Sequence, residues 1–337
     1  MNLIAREHQR LDMPGGISYS PGLGDAMREK IIIATRKSPL ALWQSKFVKA
    51  RLEAAFPGLC VELLYIVTTG DRTQESLASI PEIGGKGLFT AELEESLAAR
   101  ETDLAVHSLK DLPTTLPDGF VIGAIPTRAP VNDVFVSRTG CSFAELPKAS
   151  VIGTSSVRRS SQILRLRPDL KTVLIRGNVD TRIRKVRSPS GEYDGTLLAQ
   201  AGVQRLGLED QITEVLSTEA ILPAPGQGAL GIECRSDDAE LLSALQALHD
   251  LRSMAEVTAE RAFLQALGAG CNTPVAALAR VTSDGNAARL RFKGRCLAPD
   301  GSRVLEVRGE GSLNEAITLG QSMAEQVLTK GFRELAG

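Results

Sequence analysis

The chain has 337 residues, 43% of them hydrophobic and 23% charged, with a formal net charge of -1. Such a composition describes a folded chain of two or three domains and excludes disorder, collagen and coiled coil. No uninterrupted apolar run reaches the roughly 18 to 20 residues of a membrane span. The first thirty residues mix Glu7, Asp12, Asp25 and Glu29 among the basic ones, unlike a signal or transit peptide, so the chain is read as cytoplasmic with no membrane partner. Five cysteines without CxxC spacing, beside three histidines, support neither a disulfide framework nor a metal site.

Residues 1–29 carry Pro14, Gly15, Gly16, Pro21, Gly22 and Gly24 with little periodicity and read as a flexible extension that does no chemistry. From Lys30, β-branched runs alternate with helical ones: strand Lys30 to Ala34, helix Pro39 to Ala55, strand Val61 to Val67, helix Leu88 to Arg100 and strand Leu104 to His107. Ser38 is a ready N-cap, Pro39 suits the first helical position, and Phe89, Leu93 and Leu97 form the apolar stripe of the second helix. Strand-like Phe120 to Ile125 and Asp133 to Ser137 follow. A second βα series then places strands at Val151 to Ile152, Thr172 to Ile175 and Gly195 to Ala199, before Ala229 to Cys234. This grammar predicts mainly parallel sheets. After Arg252 come a helix (Met254 to Leu267), alternating runs (Val275 to Val281, Ala288 to Leu297, Arg303 to Val307) and a helix opened by the capping box Ser312 to Glu315. The expected organisation is α/β. A doubly wound domain of residues 30–126 and 229–248 is hinged, through two crossovers, to a second of residues 127–228 with an arginine-rich cleft. A small α+β domain spans residues 249–337.

Charge is concentrated locally. Arg158, Arg159, Arg165, Arg167, Lys171, Arg176, Arg182, Arg184, Lys185 and Arg187 face only Asp169 and Asp180 over the same stretch. Gly153, Thr154, Ser155 and Ser156 follow a strand and open a helix, where free N–H groups and the helix dipole favour an anion. Arg176-Gly177-Asn178 repeats that arrangement, and so does Thr35-Arg36-Lys37-Ser38. Arg36, Arg158, Arg159, Arg176 and Arg182 are therefore candidates for binding carboxylate or phosphate. Arg165, Arg167, Arg184 and Arg187, and the strand side formed by Arg289, Arg291, Lys293 and Arg295, read as solvated faces. His107 to Pro113 ends a strand in a loop with Lys110 before Asp111, a position where open α/β sheets bind ligands. An Asp there can stabilise a developing positive charge or exchange a proton. His107 reads as a core or supporting histidine. Gly84-Gly85-Lys86-Gly87 lacks Walker spacing and reads as a mobile loop. Cys271 lies on a loop that suits a reactive thiol, whereas Cys60, Cys141, Cys234 and Cys296 read as small hydrophobes.

Taken together, these segments closely resemble the hydroxymethylbilane synthase, or porphobilinogen deaminase, family from about Lys30 to the end. The resemblance rests on IATRKSPLALWQS (Ile33 to Ser45), GGKGLF (Gly84 to Phe89), AVHSLKDLP (Ala105 to Pro113), GTSSVRR (Gly153 to Arg159) and RGNVDTR (Arg176 to Arg182). It continues through Gly191 to Leu208, LPAPGQGALGIECR (Leu222 to Arg235) and ERAFLQALGAGCNTPV (Glu260 to Val275). The resemblance implies two periplasmic-binding-protein-like domains and a third α+β domain whose loop cysteine, matched by Cys271, holds a dipyrromethane cofactor as a thioether. It implies an enzyme that joins four porphobilinogen molecules head to tail, releases ammonia each time, and frees the tetrapyrrole by hydrolysis. Asp111 would hold the pyrrole nitrogens, assist loss of the amine and stabilise the cation that results. Arg36, Ser38, Ser108, Lys110, Thr154, Ser156, Arg158, Arg159, Arg176, Arg182, Arg205 and Gln227 would bind cofactor and substrate, with Lys86 in a loop over the cleft. The expected partner is small-molecule porphobilinogen, and the expected state a monomer.

Two departures from the family pattern stand out. Gly268-Ala269-Gly270-Cys271 replaces the usual Glu-Gly-Gly-Cys and puts a Cβ where φ > 0 is normally open. Pro130-Val131-Asn132-Asp133 replaces Asp-Pro-Arg-Asp at the first crossover, removing a charge pair from the hinge. Other classes fit less well. A non-enzymatic anion binder has no need of Cys271 or Asp111, a nucleotide-dependent transferase lacks its Walker pattern, and a nucleic-acid binder lacks stacking aromatics and overall positive charge.

Overall fold

The computed structural model describes residues 28–69, 90–270, 273–284 and 287–336. In chain order β1 (Lys30–Thr35), α1 (Pro39–Ala55), β2 (Cys60–Tyr65), α2 (Ala91–Ala98), β3 (Leu104–Ser108), β4 (Phe120–Ala124) and β5 (Asp133–Ser137) come first. Then follow β6 (Val151–Gly153), α3 (Val157–Leu166), β7 (Lys171–Val173), α4 (Val179–Arg187), β8 (Gly195–Ala199), α5 (Gln200–Arg205) and β9 (Glu214–Val215). The rest is β10 (Leu230–Arg235), α6 (Ala239–Leu245), α7 (Leu251–Ala266), β11 (Val275–Asp284), β12 (Ala287–Leu297), β13 (Val304–Gly311), α8 (Ala316–Thr329) and α9 (Phe332–Ala336).

Two five-stranded sheets have the orders β2-β1-β3-β10-β4 and β7-β6-β8-β5-β9. In each, three strands are parallel, as βα alternation predicts. The outermost strand on the other side, β4 or β9, points the same way as these three, and the strand between them differs from that expectation. β10 runs antiparallel to β3 and β4, and β5 antiparallel to β8 and β9. Both β5 and β10 follow a crossover, so they enter from the opposite end of the sheet and no helix precedes them to restore the parallel sense. Alternation along β5 buries Val134 and Val136 on one face and Phe135 on the other, so both faces carry a core. The fold class is thus two doubly wound α/β units with a smaller α+β unit. That unit is an antiparallel β11-β12-β13 sheet whose apolar face packs on Ala259 and Phe263 of α7 and Met323 and Val327 of α8.

Local chemistry explains several boundaries. Ser38 caps α1 by accepting from Ala41 N, with Pro39 in the first turn. α7 starts ahead of the expected Met254 because Asp250 is its N-cap, accepting from Ser253 N at 2.7 Å. The Ser312/Glu315 capping box is present and opens a short 3₁₀ turn that leads into α8. Arg28, within the stretch read as an extension, bonds Asp103 and Asp238 and also donates to Glu240, while Cys60 N donates to Glu29 O at 2.8 Å. These two residues extend the start of β1 in the first sheet.

The two crossovers, residues 125–132 and 222–229, run side by side and are knotted to the third unit. Arg128 donates to Gln227 O at 2.9 Å, to Glu256 at 3.1 Å and to Glu260 at 2.9 and 2.8 Å. Glu260 also accepts from Gly226 N and Ala279 N, and Glu256 from Val281 N, so the carboxylates of α7 cap the edge of β11. A charge knot therefore sits at the crossover despite Pro130-Val131-Asn132, made by the earlier Arg128. Gly228 has φ +86, and a Cβ there would lie 2.5 Å from Ala129 O, so only glycine lets the strands approach this closely.

The basic face of β12 is not uniformly solvated. Arg289 and Arg291 pair with Glu310 in the open, but Lys293 is buried against Glu219 at 2.6 Å. Arg295 donates to Gln162 Oε1 and to the carbonyls of Ala220 and Glu219. Alternation identifies the face of a strand; it does not say that another unit docks on it. Arg167 likewise leaves solvent, pairing with Asp169 and donating to the carbonyls of Phe143, Ala144 and Leu146. The thiols of Cys234 and Cys296 are buried and pushed up to about 12 by desolvation, as inert core cysteines should be. Cys141 is half-buried, and Cys60 departs from the small-hydrophobe expectation by being exposed at the first position of β2. Replacing Arg128 by Met should lower stability by about 3 kcal/mol, because buried Glu260 loses its counter-charge and Glu256 keeps Arg280 alone. Urea denaturation measures it, and an unchanged midpoint would contradict the knot.

Candidate active site

Strand β3 ends at Ser108 and the chain turns through the 3₁₀ segment Leu109–Asp111. Leu109 is fully buried with Leu112, Ile125, Ala229 and Val257, and its N–H donates to Ala229 O at 3.0 Å. Gly226, at φ +75, passes so close behind the turn that a Cβ would lie 3.2 Å from Lys110 N. Held from this side by Gly226, the turn presents Lys110 half-buried and Asp111 exposed. The Asp111 carboxylate makes no hydrogen bond to a described residue, so it is available to a ligand. Ser108 Oγ accepts from Gln44 Nε2 of α1 at 2.7 Å. Behind it His107 is buried as expected, its Nε2 2.9 Å from Glu233 Oε2. Lys110 is pushed down to about 8, chiefly by burial and further by Arg159 and Arg158, with Asp111 and Asp133 opposing.

The second sheet supplies the arginines that act on this turn. Ser156 caps α3, accepting from Arg159 N, and Ser156 N donates to Thr154 Oγ1 at 3.1 Å. The helix therefore starts with both arginines in its first turn, and both are buried. Arg158 donates to Asp133 Oδ2 at 2.8 Å and Leu222 O at 2.6 Å, and Arg159 to Asp133 Oδ1 at 2.7 Å. Burial alone would raise the Asp133 pKa, but the two guanidinium groups outweigh it and hold the carboxyl well below its usual range. Arg159 Nε is buried with no acceptor. At the start of α4, Arg182 donates through Nε to Gly177 O at 2.8 Å and is pushed down to about 10 by burial and by Arg159, with Asp111 opposing. Arg176 is exposed, and its guanidinium bonds no described residue.

Lys110, Asp111, Arg158, Arg159 and Arg182 are thus one electrostatic group. Other expected contacts are engaged elsewhere. Gln227 is fully buried and donates to Val131 O at 2.7 Å and Asp133 Oδ1 at 3.0 Å. Arg205 donates to Gly228 O at 2.8 Å and lies over the Trp43 ring at 5.6 Å. Gln227 ties the two crossovers together, and Arg205 ties the second unit to the first. Arg36 is half-buried just after β1, beside the Ser38 cap. Of the remaining calls, Lys86, with its loop Gly84 to Gly87, and Cys271 lie outside the described residues. The set suits a ligand with several carboxylates and an N–H edge. It offers an orphaned buried donor at Arg159, uncommitted guanidinium nitrogens at Arg176 and Arg182, and an acceptor at Asp111.

Two family models match in tandem. The model described as porphobilinogen deaminase, dipyromethane cofactor binding domain, covers residues 31–243, and that of the porphobilinogen deaminase C-terminal domain covers residues 254–329. The chain belongs to the porphobilinogen deaminase family. Its activity is that of a hydroxymethylbilane synthase, a transferase of tetrapyrrole biosynthesis that uses dipyrromethane. It is similar to the porphobilinogen deaminase of Carboxydothermus hydrogenoformans, at 43% identity over 92% of this chain and 97% of the relative. It is similar also to that of Pelotomaculum thermopropionicum, at 44% identity over 92% and 96%. Among solved structures, the periplasmic aliphatic sulphonate binding protein SsuA from Escherichia coli aligns over 92% of each chain at 13% identity and a TM-score of 0.39. No helix among the described residues is long and apolar enough to cross a membrane.

Asp133 and Gln44 were not legible as members of the site. Asp133 looks like an ordinary strand opening, and Gln44 sits on a helix face; each is revealed only by partners distant in the chain. Asp133→Asn should leave two buried guanidinium groups without a counter-charge and cost about 3 kcal/mol at pH 7. A depressed carboxyl adds stability above its unfolded pKa of about 3.9 and loses it as pH falls toward the folded value, so the gap between parent and variant should narrow below about pH 4. Urea midpoints at pH 7 and pH 3 test this, and a gap that is absent at pH 7 or widens in acid would contradict it.

Proposed function

We propose that Asp111 is the catalytic carboxylate of this porphobilinogen deaminase, that Cys271 carries dipyrromethane as a thioether, and that the arginine wall binds the acetate and propionate groups of the pyrroles. The observation that carries this reading is the meeting of an unpartnered Asp111 with Lys110, Arg159 and Arg182 across the two sheets. Bound dipyrromethane would be the primer whose free α-carbon takes the first of four units, each later unit joining the free α-carbon of the one before it, until hydrolysis releases hydroxymethylbilane. The chain's own residues do the rest. For the amine of porphobilinogen to leave as ammonia, its nitrogen must hold a proton while positive charge spreads over the methylene and pyrrole N–H. Asp111, a carboxylate with no protein donor, accepts from that N–H and stabilises the cation.

Arg159 through its orphaned Nε, Arg176 and Arg182 are the donors best placed for carboxylates, joined by Arg36, Ser38, Ser108, Lys110, Thr154, Ser156 and Lys86. Arg158 acts mainly by holding Asp133. Gln227 and Arg205 shape the crossover beside the site, a positioning role in place of the direct contact that resemblance implies. Lys110 loses its charge as pH rises past about 8, which weakens the positive wall. We propose further that the protein works as a cytoplasmic monomer with no nucleic-acid partner: the charge is balanced overall, and Arg158 and Arg159 of its basic stretch are buried rather than offered on an outer surface.

The test is the intact mass and turnover of the parent, Cys271→Ser and Asp111→Asn, all expressed with a working porphobilinogen supply. Parent and Asp111→Asn should carry an increment of two linked pyrroles and Cys271→Ser none. Asp111→Asn should lose at least about 100-fold in turnover with an unchanged fold. A modified Cys271→Ser would remove that cysteine as the anchor, and an active Asp111→Asn would remove Asp111 from the chemistry.

A further inference from the structure

The exposed Asp111 has no side-chain partner of its own among the described residues, so its direction depends on the backbone that carries it. Packing behind that backbone is incomplete. A cavity of about 180 Å³, lined by Leu109, Ile122, Ile125, Val257 and Arg261 among others, lies between the turn and α7. What spans the gap is polar. Arg261 of α7 donates through Nη1 to Leu112 O at 3.3 Å and through Nη2 to Pro113 O at 2.6 Å, the two residues that follow Asp111. One turn further along the helix, Gln265 Nε2 donates to Thr115 Oγ1 at 3.1 Å. The Arg261 guanidinium has no salt-bridge partner among the described residues; burial pushes it down to about 10, with Glu233 opposing. Holding a desolvated cation on neutral carbonyls is costly, and a planar fork that fits two adjacent carbonyls gives a geometry that lysine cannot reproduce.

We propose that Arg261 is a positioning residue for the porphobilinogen deaminase reaction, locking the Asp111 turn to α7. The inference rests on the assignment of Asp111 above. It gives α7 a purpose beyond packing. The same helix ends at Gly268, whose φ is +62 and whose N–H donates to Gln265 O at 2.9 Å, and in sequence it leads to Cys271. One rigid element therefore holds the carboxylate's turn at one point and leads to the cofactor cysteine at its end.

The test compares Arg261→Met and Arg261→Lys with the parent, each alone and Arg261→Met also combined with Asp111→Glu. Both single variants should keep full dipyrromethane loading by intact mass. Their kcat should fall about 10- to 100-fold, the effect of roughly an ångström of misplacement, with KM within about threefold. Amide hydrogen exchange should quicken at Leu112 and Thr114 while β12 stays protected. In the Asp111→Glu background Arg261→Met should cost far fewer fold in kcat than in the parent, because both changes act on one carboxylate's position. An unchanged kcat, full rescue by lysine, exchange that quickens throughout the chain, or an equal fold-loss in both backgrounds would overturn the proposal. If instead Asp111→Asn retains turnover, the assignment of Asp111 fails, and the local exchange at Leu112 and Thr114 still decides whether the clamp exists.

Discussion

A single buried carboxylate, Asp133, organises the binding wall. It stands at the first residue of β5, directly after a crossover, and receives Arg158, Arg159 and Gln227. Removing three charged groups from water is unfavourable unless the geometry is good and the remaining donors are used. Here Arg158 finds Leu222 O and Gln227 finds Val131 O, both on crossover strands, so satisfying one charge also fixes α3 against both crossovers. Arg159 alone keeps a buried donor in reserve, at Nε. Arg158 and Arg159 are therefore held by the protein's own groups, and one of their two positive charges is balanced by Asp133. A wall held in this way suits an enzyme that must hold a growing, many-charged chain without having to reorganise arginines at each addition.

The third unit is the second constraint. It bonds the first sheet's unit through Arg261 at Leu112 and Pro113, the crossovers through Glu256 and Glu260 at Arg128, and the second through Lys293 and Arg295 at Glu219, Ala220 and Gln162. The helix that leads in sequence to Cys271 thus belongs to a body attached to both walls of the site. Gly226 and Gly228 make this possible, since their positive φ lets the returning chain pass within contact of the Lys110 turn and of Ala129.

Much of this was visible in the sequence, for identifiable reasons. β1, α1, β5, β8 and the sheet of the third unit announce themselves because period and capping are local: Ser38 before Pro39, alternating Asp133 to Ser137, Ser312 before Glu315. The strand ends that carry the candidate anion donors were legible as well, since glycine, hydroxyls and arginine follow one another there. Whatever depends on a distant partner was hidden. The antiparallel sense of β5 and β10 follows from where a crossover delivers them. Lys293 and Arg295 look solvated until Glu219 and Gln162 are laid over them. Asp133 and Gln44 act on partners distant in the chain and Arg128 on another unit, and Gln227 and Arg205, expected to touch ligand, turn to protein carbonyls because the crossovers need donors there.

The central claim is that the pyrrole chain grows on Cys271 in front of Asp111. The measurement that tests it most directly is the intact and peptide mass of the protein, quenched after mixing with fewer than four equivalents of porphobilinogen. A ladder of increments, each equal to porphobilinogen less ammonia and all on the peptide that contains Cys271, is the expected result. Turnover with an unchanged protein mass, or increments on another peptide, would contradict it.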